Sequence, residues 1–188
     1  MALNRRAALT LPLALVWLAA CGGSGGEAAV PAGSFPRWEG ELRTLFDDEI
    51  DPAAVGMAMD GRSPGSDPML RLRAQAAEIV ARMRVQTVNR NTRGARKSYT
   101  VVLQVGKPAL LPLIFNTNTV ELVVTQETGA YGVVQNLEST LGGKVFIGFV
   151  RRFAGVDGPE LHWHLAADHA EVAQIVQEIA VMEELAGQ

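Results

Sequence analysis

Residues 80–105 constrain the fold more than any other part of the chain. "VARMRVQTVNR" and "KSYTVVLQV" each alternate apolar and polar residues, the period of a strand with one buried face. The polar link "NTRGAR", with Gly94 in it, joins them. Two such runs around a short polar turn make a long β-hairpin, which commits its neighbours to an antiparallel sheet. "VELVVTQ" (residues 120–126) adds another strand. "KVFIGFVRRF" (144–153) is apolar on both faces, with Val145, Ile147 and Phe149 on one and Phe146 and Val150 on the other. It reads as a central strand, returned by "LHWHL" (161–165) after the turn "AGVDGPE".

Helical periods fill the rest. "RWEGELRTLFDDEI" sets Trp38, Leu42, Leu45 and Phe46 on one face. Asp67-Pro68 opens a short helix running to about Ala77. "GAYGVVQNLESTLGG" places Val133, Val134, Leu137 and Leu141 together before Gly142-Gly143 stops it. The final helix (168–187) has Asp168 as cap, Glu171 as the second half of a capping box, and a core stripe of Val172, Ile175, Val176, Ile179 and Met182. "PALLPLIFNTNT" carries Pro108 and Pro112 and reads as an apolar connection rather than a strand. The sum is one α+β domain over residues 37–188: a mostly antiparallel sheet of about five strands, helices packed on it, the C-terminal helix last.

The first residues precede that domain. "MALNRRAALTLPLALVWLAAC" has a basic start at Arg5 and Arg6, an apolar run and then small residues, the layout of an export signal over residues 1–20. The flanks of Arg5-Arg6 fit a twin-arginine signal poorly, which favours Sec export. The segment ends in "LAAC", and Cys21 is the only cysteine. This ending resembles the lipobox of bacterial lipoproteins. The resemblance covers the leader alone and implies cleavage after Ala20 and lipidation of the Cys21 sulfur. Several acyl chains on one residue anchor stably. Gly22 rather than Asp at the second mature position implies, in a Gram-negative cell, the outer membrane facing the periplasm. Residues 21–36, opening "CGGSGGEAAVPAGS", then form a flexible tether. With the one thiol taken, the chain has no disulfide, cysteine nucleophile or thiolate ligand.

Charge is unevenly spread. The formal net charge of −3 becomes −5 once Arg5 and Arg6 leave with the signal. Residues 27–70 are acidic, whereas residues 71–97 carry eight cations against Glu78 alone. Arg82, Arg84, Arg90, Arg93 and Arg96 on the hairpin form a candidate surface for an envelope protein, an anionic lipid or a polysaccharide. The alternative is a solvated face that balances the acidic segments. Nucleic acid is not expected for an exported, net-acidic, lipid-anchored chain.

All three histidines fall in "LHWHLAADH". His162 and His164, two apart on a strand, share a face, the spacing that begins a zinc or copper site; Asp157 or Asp168 would complete the shell. Against this, Leu161, Trp163 and Leu165 share the apolar face. If the final helix folds onto them, His162 and His164 face solvent and His169 lies elsewhere. A pH-responsive pair is a third reading. "FDDEIDP" and "DGRSPGSD" lack the spacing of a calcium loop and read as helix ends and turns. "ALLPLIF" reads as core rather than as an exposed patch. No G-x-S-x-G, phosphate-cradling glycine loop or H-E-x-x-H is present, so enzyme chemistry would need a hydrolase site of another kind. The reading is a non-catalytic, lipid-anchored envelope protein that presents a binding surface, with metal binding as the alternative.

Overall fold

The hairpin forms and becomes the spine of the sheet. In the computed structural model, which describes residues 35–57, 61 and 63–186, β2 (Ile79–Arg93) and β3 (Arg96–Val105) pair antiparallel around Gly94, which takes the left-handed conformation. Strand β4 (Thr119–Val124) lies outside β3. Strands β5 (Val145–Ala154) and β6 (Pro159–Ala167) continue the sheet on the side of β2. A two-residue β1 (Glu49–Ile50) pairs parallel with β6, so the order is β1-β6-β5-β2-β3-β4. The sheet thus has six strands, mixed and curled, rather than about five. The sixth was hidden because two residues carry no periodicity. With α1 (Gly40–Leu45), α2 (Leu70–Ala76), α3 (Tyr131–Leu137) and α4 (Ala170–Ala186), the domain is α+β with its helix last. The signal, Cys21 and nearly all of the tether lie outside the described residues.

Each face of the sheet has its own core. Met83, Leu103, Leu122, Phe146, Trp163 and Leu165 line the concave face, closed by Val134 of α3 and by Leu141. Val80, Ile147, Phe149 and Phe153 line the other face, covered by Phe46 after α1, Leu70 of α2 and Val172, Val176 and Ile179 of α4. This reverses one expectation. The final helix does not fold onto Leu161, Trp163 and Leu165; it packs on the face that carries His162 and His164. The residues of β3 and β4 already pack on the tryptophan side, and α4 buries Ile147, Phe149 and Phe153 on the other.

Three smaller expectations change. Met182 is 64% exposed, because α4 outruns the sheet after Ile179. Helix α3 ends at Leu137, well before Gly142-Gly143, although Leu141 stays buried. Asp168 does not cap α4: its Oδ1 accepts from Arg82 Nε at 2.8 Å, and Glu171 accepts from the Ser63 hydroxyl, so no capping box forms. The proline-bearing connection covers the free edge of early β2. The N–H groups of Gly106, Leu110 and Ile114 donate to the carbonyls of Arg82, Val80 and Glu78, at 2.7, 2.9 and 3.0 Å. Pro108 and Pro112 fall between those donors, where a missing N–H costs nothing.

Phe149 is fully buried in the central strand. Phe149→Ala should lower unfolding free energy by about 3–5 kcal/mol. Met182→Ala should change it by no more than about 0.5 kcal/mol. Denaturant titration of both variants tests the placement of α4; a large loss at Met182 would contradict it.

Candidate functional site

The two strand histidines meet two adjacent acids from the far end of the chain. Helix α1 ends at Leu45, and the chain turns through Asp47 and Asp48 before joining β6 as β1. Asp48 has φ 54°, a left-handed conformation that aspartate tolerates better than most residues. That turn lets consecutive carboxylates reach residues two apart on β6. His162 Nδ1 lies 2.7 Å from Asp48 Oδ2, and His164 Nδ1–H donates to Asp47 Oδ1 at 2.8 Å.

Each pair has a different setting. His162 is stacked on Trp38, with ring centroids 3.6 Å apart and planes 6° from parallel, and Phe153 meets its edge. The Trp38 indole N–H donates to the Phe46 carbonyl at 2.7 Å, and the Arg43 guanidinium lies over its ring. Asp48 Oδ1 also accepts from the Trp163 N–H at 3.1 Å. Burial pushes the Asp48 carboxyl above its ordinary value; the bond to His162, its charge and the Trp163 N–H pull the other way, and neighbouring Asp47 adds to the rise. At His164, the other Asp47 oxygen lies 3.3 Å from Arg73 Nη2. Arg73 is buried; its Nη1 pairs with Asp67 and its Nε donates to the Leu45 carbonyl at 2.7 Å.

These contacts correct the solvent-facing reading of the pair: the His162 and His164 side chains are only 12% and 9% exposed. Neither Asp157 nor Asp168 reaches them. Asp157 is exposed in the β5–β6 turn and Asp168 holds Arg82. His169 stands apart at the start of α4, its Nδ1 3.4 Å from the Glu171 N–H. The imidazoles also open on different clefts. His162 borders one of about 650 Å³ with Trp38, Arg43, Glu121 and Glu160. His164 borders one of about 580 Å³ with Asp47, Glu49, Asp67 and Arg73. Among the described residues, no three His, Asp or Glu side chains converge to hold a metal ion. A carboxylate on Nδ1 leaves Nε2 as the nitrogen available to a ligand; at His162 it lies 4.0 Å from Glu160 Oε2. Among the described residues no serine or threonine hydroxyl is hydrogen-bonded to either Nε2. Sequence reasoning assigned Asp47 and Asp48 to a helix end; the adjacent acids near Trp38 were the visible signal, but their partners lie over a hundred residues away.

The five hairpin arginines separate into two groups. Strand β5 pairs with β2 only as far as Arg84, and β4 pairs with β3 only from Tyr99 onward. Beyond both limits, over residues 91–98, the hairpin is a two-stranded ribbon with neither edge paired, and residues 89–97 are all exposed. Arg93, Arg96 and Lys97 lie on it, and Arg90, opposite Tyr99, stands at its base. Among the described residues these four cations make one ion pair, Arg90 with Glu138 at 3.7 Å. Arg82 and Arg84 lie on the body of the sheet, held by Asp168 and by the Gly143 carbonyl at 3.2 Å. No described helix is long and apolar enough to cross a membrane. Comparison with protein-family models, curated proteins and solved structures finds no match.

Asp48→Ala strands the Trp163 N–H and puts alanine in a left-handed conformation, so it should lose about 2–4 kcal/mol in denaturant titration; Asp48→Asn should lose far less. Because the folded Asp48 pKa is raised, this group's contribution is fully present below the ordinary value of 3.8 and is lost as pH rises through the folded value. Asp48→Asn should remove that part of the slope. Equal slopes in both proteins would assign it to other groups.

Proposed function

We propose that this chain is a lipid-anchored cell-envelope protein that binds rather than catalyses, and that its projecting cationic ribbon contacts an anionic envelope partner. The observation that carries this reading is the ribbon itself. An unsupported two-stranded extension with two arginines and a lysine, and Arg90 at its base, adds little to the core, yet it concentrates positive charge on an acidic chain. Its unpaired edges also offer backbone donors and acceptors to a partner. The anchor rests on "LAAC" and the lone Cys21. Lipid on Cys21 and residues 21–36 as a tether would hold the domain within reach of the membrane, in the periplasm for an outer-membrane lipoprotein.

A metal-binding role is the second reading. Nδ1 of both His162 and His164 is held by a carboxylate, the arrangement that orients a histidine for a metal on Nε2. The separate clefts weigh against one zinc or copper ion shared by both. Zinc titration of the full chain, with His162→Ala and His164→Ala made singly and together, distinguishes one shared ion from none.

Two measurements test the first reading. Labelled palmitate should enter the wild-type chain in cells and fail to enter Cys21→Ser. Arg90→Glu, Arg93→Glu and Arg96→Glu together should lower recovery of a crosslinked envelope partner by at least about tenfold. The melting temperature should move by no more than about 3 °C, since the changed residues are exposed. Undiminished recovery would remove the ribbon from the function.

A further inference from the structure

The two arginines left on the body of the sheet lie in a cleft that the ribbon does not share. On the helix-bearing face of β2, Val80 lies under the helices, and Arg82 and Arg84 continue past them. Arg82 stands opposite Ile147, and Arg84 stands between Gln104 of β3 and Val145 of β5. The turn at Gly106-Lys107, Asn118 and Asp168 complete the walls of a cleft of about 540 Å³. Gly106 is required there: its N–H donates to the Arg82 carbonyl at 2.7 Å, and a Cβ would meet the same oxygen at 2.7 Å. That close approach brings Lys107 to the rim.

We infer that this cleft binds a phosphate group, held by Arg82, Arg84 and Lys107 with the amides of Gln104 and Asn118. The charge count favours a dianion. Three cations face one acid, Asp168, which leaves a net charge of +2 on a chain that is otherwise negative. A phosphate monoester or inorganic phosphate carries about −1.5 to −2 at neutral pH, close to that excess, whereas a single carboxylate would neutralise half of it. The donors are also available. Asp168 engages Arg82 through Nε, and its two terminal nitrogens have no partner among the described residues. Arg84 gives one terminal nitrogen to the Gly143 carbonyl. Lys107, Gln104 and Asn118 have no side-chain partner among the described residues. Guanidinium forks on a tetrahedral oxyanion form strong, oriented hydrogen bonds. Asp168 positions the Arg82 fork rather than cancelling the site. The phosphate could belong to a lipid headgroup or to a soluble molecule; the recognising chemistry is shared.

Isothermal titration of the full chain tests this, with inorganic phosphate and with phosphatidylcholine vesicles containing phosphatidic acid, whose headgroup is a phosphate monoester, as probes. Saturable binding of either is expected, weakened at least about tenfold by Arg84→Gln with Lys107→Gln and unchanged by the ribbon triple reversal. Both changed side chains in the cleft are exposed, and matching circular dichroism melts establish that the variant is folded. Binding to the phosphatidic acid vesicles that exceeds binding to phosphatidylcholine alone and to inorganic phosphate assigns the site to a headgroup, and tighter inorganic phosphate assigns it to a soluble phosphate. Absence of binding to both probes overturns the proposal, as does binding that the cleft variant leaves intact. Binding lost only in the ribbon variant moves the anion site to the ribbon. The ribbon's own role stands or falls separately on partner recovery.

Discussion

The Asp48 carboxylate and its backbone join three parts of the chain: the turn after α1, strand β6 and the start of α3. The carboxylate accepts from the Trp163 N–H and meets His162, while the Asp48 N–H donates to the Trp163 carbonyl and the Asp48 carbonyl accepts from Ala130 at the start of α3. The short β1 stays on β6 because of these bonds, since two residues of ladder would not hold alone. With β1 in place, Ile50 closes one end of the concave core and Phe46 is fully buried on the opposite face. A left-handed aspartate is an uncommon device, and here one residue serves both cores. The buried Asp48 carboxyl is tolerated because its oxygens are used by the imidazole and the backbone N–H.

The neighbouring pair shows how the same segment is held from the other side. Asp47 spans His164 and Arg73, and Arg73 in turn reaches Asp67 and the Leu45 carbonyl. A guanidinium this deeply buried needs several acceptors, and it finds them on the turn after α1, the turn before α2 and the end of α1 itself. The histidines therefore act first as parts of a polar clasp beneath the helix layer. The two imidazoles border separate clefts.

Charge is segregated by architecture as well as by sequence. Acidic residues gather at the clasp and along the clefts beside it, while the cations of β2 and β3 divide between an unsupported ribbon and the uncovered floor of the sheet. The division follows from strand lengths. Strands β2 and β3 outrun their neighbours at one end, which leaves a ribbon, and the helices stop short of Arg82 and Arg84, which leaves a floor. Neither consequence depends on the identity of the charged residues, yet together they create two cationic surfaces of different shape.

The hairpin, the doubly apolar β5 and the long final helix were legible in the sequence because each carries its own period. The break at "PALLPLIF" was legible because proline removes donors locally. The lone Cys21 after "LAA" likewise needs no fold to be noticed. What the sequence could not determine was which face of the sheet received which cover. Trp163 and His164 alternate on one strand, and alternation separates two faces without saying which will be buried by a helix and which by the sheet's own curl. The same limit hid Asp47 and Asp48, whose partners depend on β1 reaching β6 from more than a hundred residues away. It also hid the separation of Arg82 and Arg84 from the other three arginines. Local periods are properties of neighbouring residues, whereas cover, clasp and cleft depend on how strands of unequal length and curvature are closed, which only the folded chain decides.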